Sequence, residues 1–143
     1  MGQIRTSVEL PAAPERVFEL AGDPNNFEKW LTLHVKFKDD LPAQLTTGAQ
    51  FTEVISMMGM PNTITWNVDE FDAPRTLTIS GTGMAGVKVA ITIAVEAAGE
   101  GSKLDLSTDF EGQMIVGALG KAIEKQGQAE LDKSIEQFSS LLG

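Results

Sequence analysis

The chain has 143 residues, twenty acids against eleven lysines and arginines, a net charge of −9 and no cysteine. The missing cysteines exclude disulfides, thiolate zinc sites and cysteine nucleophiles, and an acidic chain without a basic cluster is repelled by phosphate backbones and anionic membrane surfaces. A single domain over residues 1–143 can bury roughly two-thirds of its unfolded surface, which is enough for a core without metal or disulfide support. No apolar run reaches membrane-spanning length and the N-terminus carries no signal pattern, so a cytoplasmic protein without membrane insertion is expected.

Ile4, Thr6, Val8 and Leu10 alternate with Arg5, Ser7 and Glu9, the period of a half-buried strand, and Pro11 ends it. Pro14 suits a first helical turn, Val17, Phe18 and Ala21 supply an apolar helical face, and Gly22 stops it. Asp23 can cap a second short helix that starts at Pro24 and carries Phe27, Trp30 and Leu31. Strands are expected over 33–38 and 50–58, then a turn at Gly59-Met60-Pro61-Asn62. Over 63–71, Ile64, Trp66 and Val68 alternate with Thr65, Asn67 and Asp69. After the turn Asp72-Ala73-Pro74-Arg75, strands over 76–80 and 87–96 flank a glycine-rich link, and a last strand over 103–111 puts Leu104, Leu106, Thr108 and Phe110 on one face. Short turns between consecutive strands imply an antiparallel meander.

From Met114 to Leu142 the period becomes helical, with Ile115, Leu119, Ile123, Leu131, Ile135, Phe138 and Leu142 on one stripe. Gly117, Gly120 and Gly127 each cost about 1 kcal/mol against alanine in a helix interior, so a close backbone approach or a bend is expected there.

The order of strand, two short helices, six antiparallel strands and a long helix resembles the START-like helix-grip fold. That is an α+β fold whose curved antiparallel sheet of about seven strands wraps a long C-terminal helix. Leu10-Pro-Ala-Ala-Pro-Glu-Arg-Val-Phe-Glu19, with Asp23-Pro24 and Trp30, resembles the start of the polyketide cyclase/dehydrase and lipid-transport superfamily. Trp30-Leu-Thr-Leu-His34, Gly59-Met60 with Asn62 and Trp66, and Gly83-Met-Ala-Gly-Val-Lys-Val89 resemble an actinobacterial branch labelled as toxins of type II toxin–antitoxin loci. The resemblance spans essentially the whole chain. It implies a hydrophobic ligand of lipid or polyketide type held between sheet and helix, and the branch implies an antitoxin protein as partner.

Within that frame, His34 opens a strand just past the aromatic pair Phe27 and Trp30, which places all three at the rim of the expected cavity. As the sole histidine, His34 is either a general base or ligand contact, or a structural hydrogen bond holding the Trp30 segment. Glu53 faces inward if Phe51, Ile55 and Met57 do, and outward if Val54 and Met58 are the buried set. An inward Glu53 needs a partner, as buried carboxylates do, and is then a candidate acid or ligand anchor. Trp66 reads equally as core and as a surface for stacking a planar ligand. Phe37, Phe51, Met57, Met84, Phe110 and Met114 extend the wall, and Leu119 and Ile123 face it from the helix.

The glycine-rich 81–86 link joins two strands, so it is no phosphate cradle, and Asp39-Asp40 and Asp69-Glu70 with Asp72 lack calcium-loop spacing. No cofactor, metal or nucleic acid is expected. Three functions fit: a binder of a small hydrophobic molecule, a cyclase- or hydrolase-type enzyme using His34 or Glu53, and the toxin of a toxin–antitoxin pair. No residue cluster names a ligand, a catalytic group or an oligomeric state.

Overall fold

Period-two alternation does produce one antiparallel sheet. The computed structural model describes residues 2–38, 40–42, 45–57, 59–83, 86–112 and 117–142. These form β1 (Gly2–Leu10), α1 (Pro14–Ala21), a 3₁₀ turn (Pro24–Asn26), α2 (Phe27–Trp30), β2 (His34–Phe37), β3 (Gln50–Met57), β4 (Met60–Asp72), β5 (Thr76–Thr82), β6 (Lys88–Ala98), β7 (Gly101–Glu111) and α3 (Gly117–Leu142). The seven strands lie in the order β1-β7-β6-β5-β4-β3-β2. From β2 to β7 each strand pairs antiparallel with the next, through short links from β3 onward and through residues 38–49 between β2 and β3, while β1 joins the far edge beside β7, with Ile4 opposite Thr108 and Leu10 opposite Ser102.

Local chemistry starts and stops the short helices. Pro14 occupies the first turn of α1, where its missing N–H costs no hydrogen bond, and the Gly22 N–H donates to the Phe18 carbonyl at 2.7 Å. A Cβ at Gly22 would stand 2.9 Å from the Phe18 ring, so the stop also needs a residue without a side chain. The Asp23 carboxylate then accepts from the Asn25 N–H at 3.0 Å, capping the next turn. Val17, Phe18 and Ala21 are buried, and α1 packs against β6 and β7.

Two register shifts curve the sheet, one in β4 between Val68 and Glu70 and one in β2 between His34 and Lys36. Inward residues of successive strands face each other across the ladders: Phe51 and Trp66, Val68 and Ile79, Ile93 and Leu106. Leu131, Ile135 and Phe138 of α3 are buried in the same core, each contributing about 1.5–3 kcal/mol if fully removed from water. No described helix is long and apolar enough to cross a membrane.

The turn expected over 59–62 is shorter. β4 starts at Met60, paired with Met57, and Pro61 lies opposite Ser56. Proline is tolerated there because β5 pairs with β4 only from Thr65 onward, so Pro61 sits at a local sheet edge. The glycine-rich link also shortens, since β5 runs to Thr82 and the Gly83 N–H donates to the Val87 carbonyl at 2.7 Å. Residues 114–116, expected as the first turn of the long helix, lie outside the described residues. Gly127 shows the expected close approach: a Cβ there would stand 2.7 Å from Ile4 Cδ1.

Candidate functional site

The inward face of β3 carries Phe51, Glu53 and Ile55, which are 3 %, 0 % and 2 % exposed. Glu53 is therefore buried, and its partners are close. Trp66 Nε1–H donates to Glu53 Oε1 at 2.8 Å, and His34 Nδ1–H donates to Glu53 Oε2. With both carboxylate oxygens accepting, the imidazole proton is assigned to Nδ1. The His34 ring lies 4.6 Å from Phe37, whose ring is 5.9 Å from Phe51 and 6.4 Å from Phe27. Phe27 meets Trp30 at 6.0 Å, and Trp30 meets Phe138 of α3 edge-on at 5.3 Å. Rings thus fill the space from β3 to the C-terminal half of α3.

This corrects one expectation. Phe27 and Trp30 form no rim, because each is 1 % exposed. The short α2 lays both rings against α3 and β2, and ring volume closes the gap there. Trp66, wholly buried, belongs to the same plug.

A cavity of about 400 Å³ opens beside the plug, beneath the first half of α3. Its walls are Ile4 on β1, Val89 and Ile91 on β6, Thr108 and Phe110 on β7, and Ile55 and Ser56 on β3, with Ile123 and Gly127 of α3 as the roof. Gln126, Glu130, Lys133, Thr32 and Leu33 also line it. The seam between plug and cavity is polar. The Thr32 N–H donates to Ser134 Oγ at 3.0 Å, and Thr32 Oγ1 donates to Glu130 Oε2 at 2.7 Å. Lys133 Nζ stands 3.8 Å from Glu130 Oε1.

Of the residues singled out from sequence, Ile55, Phe110 and Ile123 line the cavity. Phe27, Trp30, His34, Phe37, Phe51, Glu53 and Trp66 lie beyond its wall. Met84 and Met114 lie outside the described residues, and Met57 and Leu119 are placed by backbone alone. Sequence reasoning passed over Ile4, Ile91, Thr108 and Lys133. For Ile4 and Thr108 the inward alternation was the available signal. Among the described residues no cluster of three or more His, Asp or Glu side chains could hold a metal ion.

A second pocket of about 350 Å³ is lined by Glu15, Phe18 and Glu19 of α1, by Leu41 and Leu45, and by Phe71 at the end of β4. Among the described residues two side-chain polar atoms are buried without a partner, Trp30 Nε1 and Thr108 Oγ1, and neither borders that pocket.

Comparison with known proteins agrees with this architecture. The model of the family described as polyketide cyclase / dehydrase and lipid transport matches residues 1–143. The uncharacterized protein Rv1546 of Mycobacterium tuberculosis is 31 % identical over 143 residues, all of both chains. Toxin Rv0910 of the same organism is 28 % identical over 138 residues, 96 % of each chain. Among solved structures, TTHA0849 from Thermus thermophilus superposes with a TM-score of 0.79 at 20 % identity, covering 97 % of this chain and 95 % of that one. A START superfamily protein from Mycobacterium smegmatis gives 0.75 at 17 % identity, covering 99 % of both. The fold is thus the START helix grip.

Proposed function

The chain belongs to the polyketide cyclase / dehydrase and lipid transport family, and from that premise we propose that it holds a small apolar molecule, of lipid or polyketide type, between α3 and the sheet. The observation that supports this is the cavity of about 400 Å³ walled by Ile4, Ile55, Val89, Ile91, Phe110 and Ile123. That volume falls within the range of small-molecule sites. A ligand losing roughly 300 Å² of apolar surface there gains about 7 kcal/mol before ordering costs. The reading takes residues 1–143 as one domain working in the cytoplasm.

Binding is favoured over catalysis by the placement of the acid–imidazole pair. Both Glu53 oxygens are occupied, and neither His34 nor Glu53 lines the cavity. Their geometry suits a buried strut between β2, β3 and β4. The test is titration with anilinonaphthalene sulfonate, a fluorophore with an apolar aromatic body and one sulfonate, on wild type and on Ile123→Trp, which puts an indole into the roof. Wild type is expected to bind and to melt higher with the probe, and the variant to bind at least about tenfold more weakly. No binding by wild type, or equal binding by both, sinks the reading.

The 28 % identity to toxin Rv0910 favours a second reading, a toxin component restrained by an antitoxin protein. Expression with and without the neighbouring gene tests it: growth arrest relieved by the neighbour supports it, and unimpaired growth in both cases removes it.

A further inference from the structure

The two partnerless buried atoms have different surroundings. Trp30 Nε1 lies inside the aromatic plug, away from the cavity wall. Thr108 Oγ1 belongs to a residue that is 7 % exposed and stands in that wall. Thr108 pairs with Ile4 on β1 and Ile91 on β6, and its inward neighbours along β7 are Leu106 and Phe110. Valine has the same shape and would complete this apolar surface without leaving a donor and two acceptors unmet. A buried water needs two to four polar partners, and the side chains next to Thr108 in the sheet, Ile4, Ile91, Leu106 and Phe110, offer it none; the other polar groups of the lining, Thr32, Ser56, Gln126 and Glu130, stand on other elements.

Resting on the cavity reading above, we propose that Thr108 is the polar anchor of the site and that the ligand is an apolar molecule bearing a hydroxyl or carbonyl oxygen on its buried side. A threonine hydroxyl donates to a carbonyl and accepts from a hydroxyl, so one residue serves both groups. A plain hydrocarbon leaves it unmet. A charged group belongs at the rim instead, beside Lys133, whose side chain is 68 % exposed.

The experiment compares 2-naphthol with 2-methylnaphthalene, which match in shape and differ by hydroxyl against methyl. Dissociation constants come from displacement of anilinonaphthalene sulfonate in wild type, Thr108→Val and Thr108→Ser. Taking the ratio of the two constants within each protein cancels the different hydration of the probes. The T108V variant is expected to shift that ratio against 2-naphthol by about three- to tenfold, the worth of one hydrogen bond, and T108S to keep the wild-type ratio. Without ligand, T108V should melt no lower than wild type. An unchanged ratio in T108V overturns the anchor while leaving the cavity reading intact, and a clearly lower melting temperature overturns it by revealing a protein partner for the hydroxyl. If neither probe binds wild type, the cavity reading falls and the anchor falls with it.

Discussion

The two ends of the interface between α3 and the sheet use the same alternating strands and treat the enclosed space in opposite ways. Toward the C-terminal end of the helix, Trp30 and Phe138 meet at 5.3 Å, and rings continue through Phe27 and Phe37 to Phe51. Toward the other end, Gly127 presents no side chain to Ile4, and about 400 Å³ stays open. A helix-grip fold therefore needs no special wall to make a cavity. It needs bulk at one end to hold helix and sheet together, and small or branched residues at the other. Among the described residues both regions hold one buried polar atom without a partner, Trp30 Nε1 in the plug and Thr108 Oγ1 in the cavity wall, but only the plug also carries a paired polar cluster, with Trp66 and His34 on Glu53.

The largest test of this division removes the strut. Glu53→Ala leaves Trp66 Nε1–H and the His34 imidazole without their acceptor and opens a void. A loss of about 3–5 kcal/mol in urea unfolding is expected, with no gain of cavity binding once the folded fraction is matched. His34→Ala leaves one carboxylate oxygen unmet while Trp66 still donates to the other, so the loss should be about 1–3 kcal/mol. Probe affinity should stay within about twofold of wild type, within the spread of an untouched site. A large fall in affinity would merge the two regions into one site.

Smaller effects belong to the seam and the roof. Ser134→Ala removes the acceptor of the Thr32 N–H, and about 1 kcal/mol should be lost in the same assay. Gly127→Ala adds a methyl that Ile4 Cδ1 must avoid, but Ile4 borders open volume and can turn into it. The helix-propensity gain then prevails, raising stability by up to about 1 kcal/mol with slightly weaker probe binding. A destabilised Gly127→Ala would mean that the cavity side of Ile4 is closed.

Most of the fold is legible in the chain because its cues are local. Turn residues bracket the strands, Pro14 and Gly22 bound α1, and the helical cost of Gly127 announces its approach to Ile4. Glu53 is different. Its alternation permits two registers, and the choice depends on His34, nineteen residues earlier, and Trp66, thirteen later. The split between plug and cavity is equally hidden, because Trp30 and Ile55 both read as inward-facing. Periodicity reports which way a side chain faces. It carries no information on how much volume remains once the facing helix has docked.

The pairing of β1 with β7 has a consequence for synthesis. Gly2 lies opposite Phe110, so the first strand made waits for the last. At about 5–20 residues per second, a ribosome takes on the order of 5–20 s to bring out that partner, and α3 follows later still. Meanwhile Ile4, Val8 and Leu10 form an apolar strand with no sheet to join, a natural target for chaperones that meet nascent chains. A chain that stops short of β7 leaves this segment permanently exposed, so incomplete copies should aggregate or be degraded rather than persist as folded fragments.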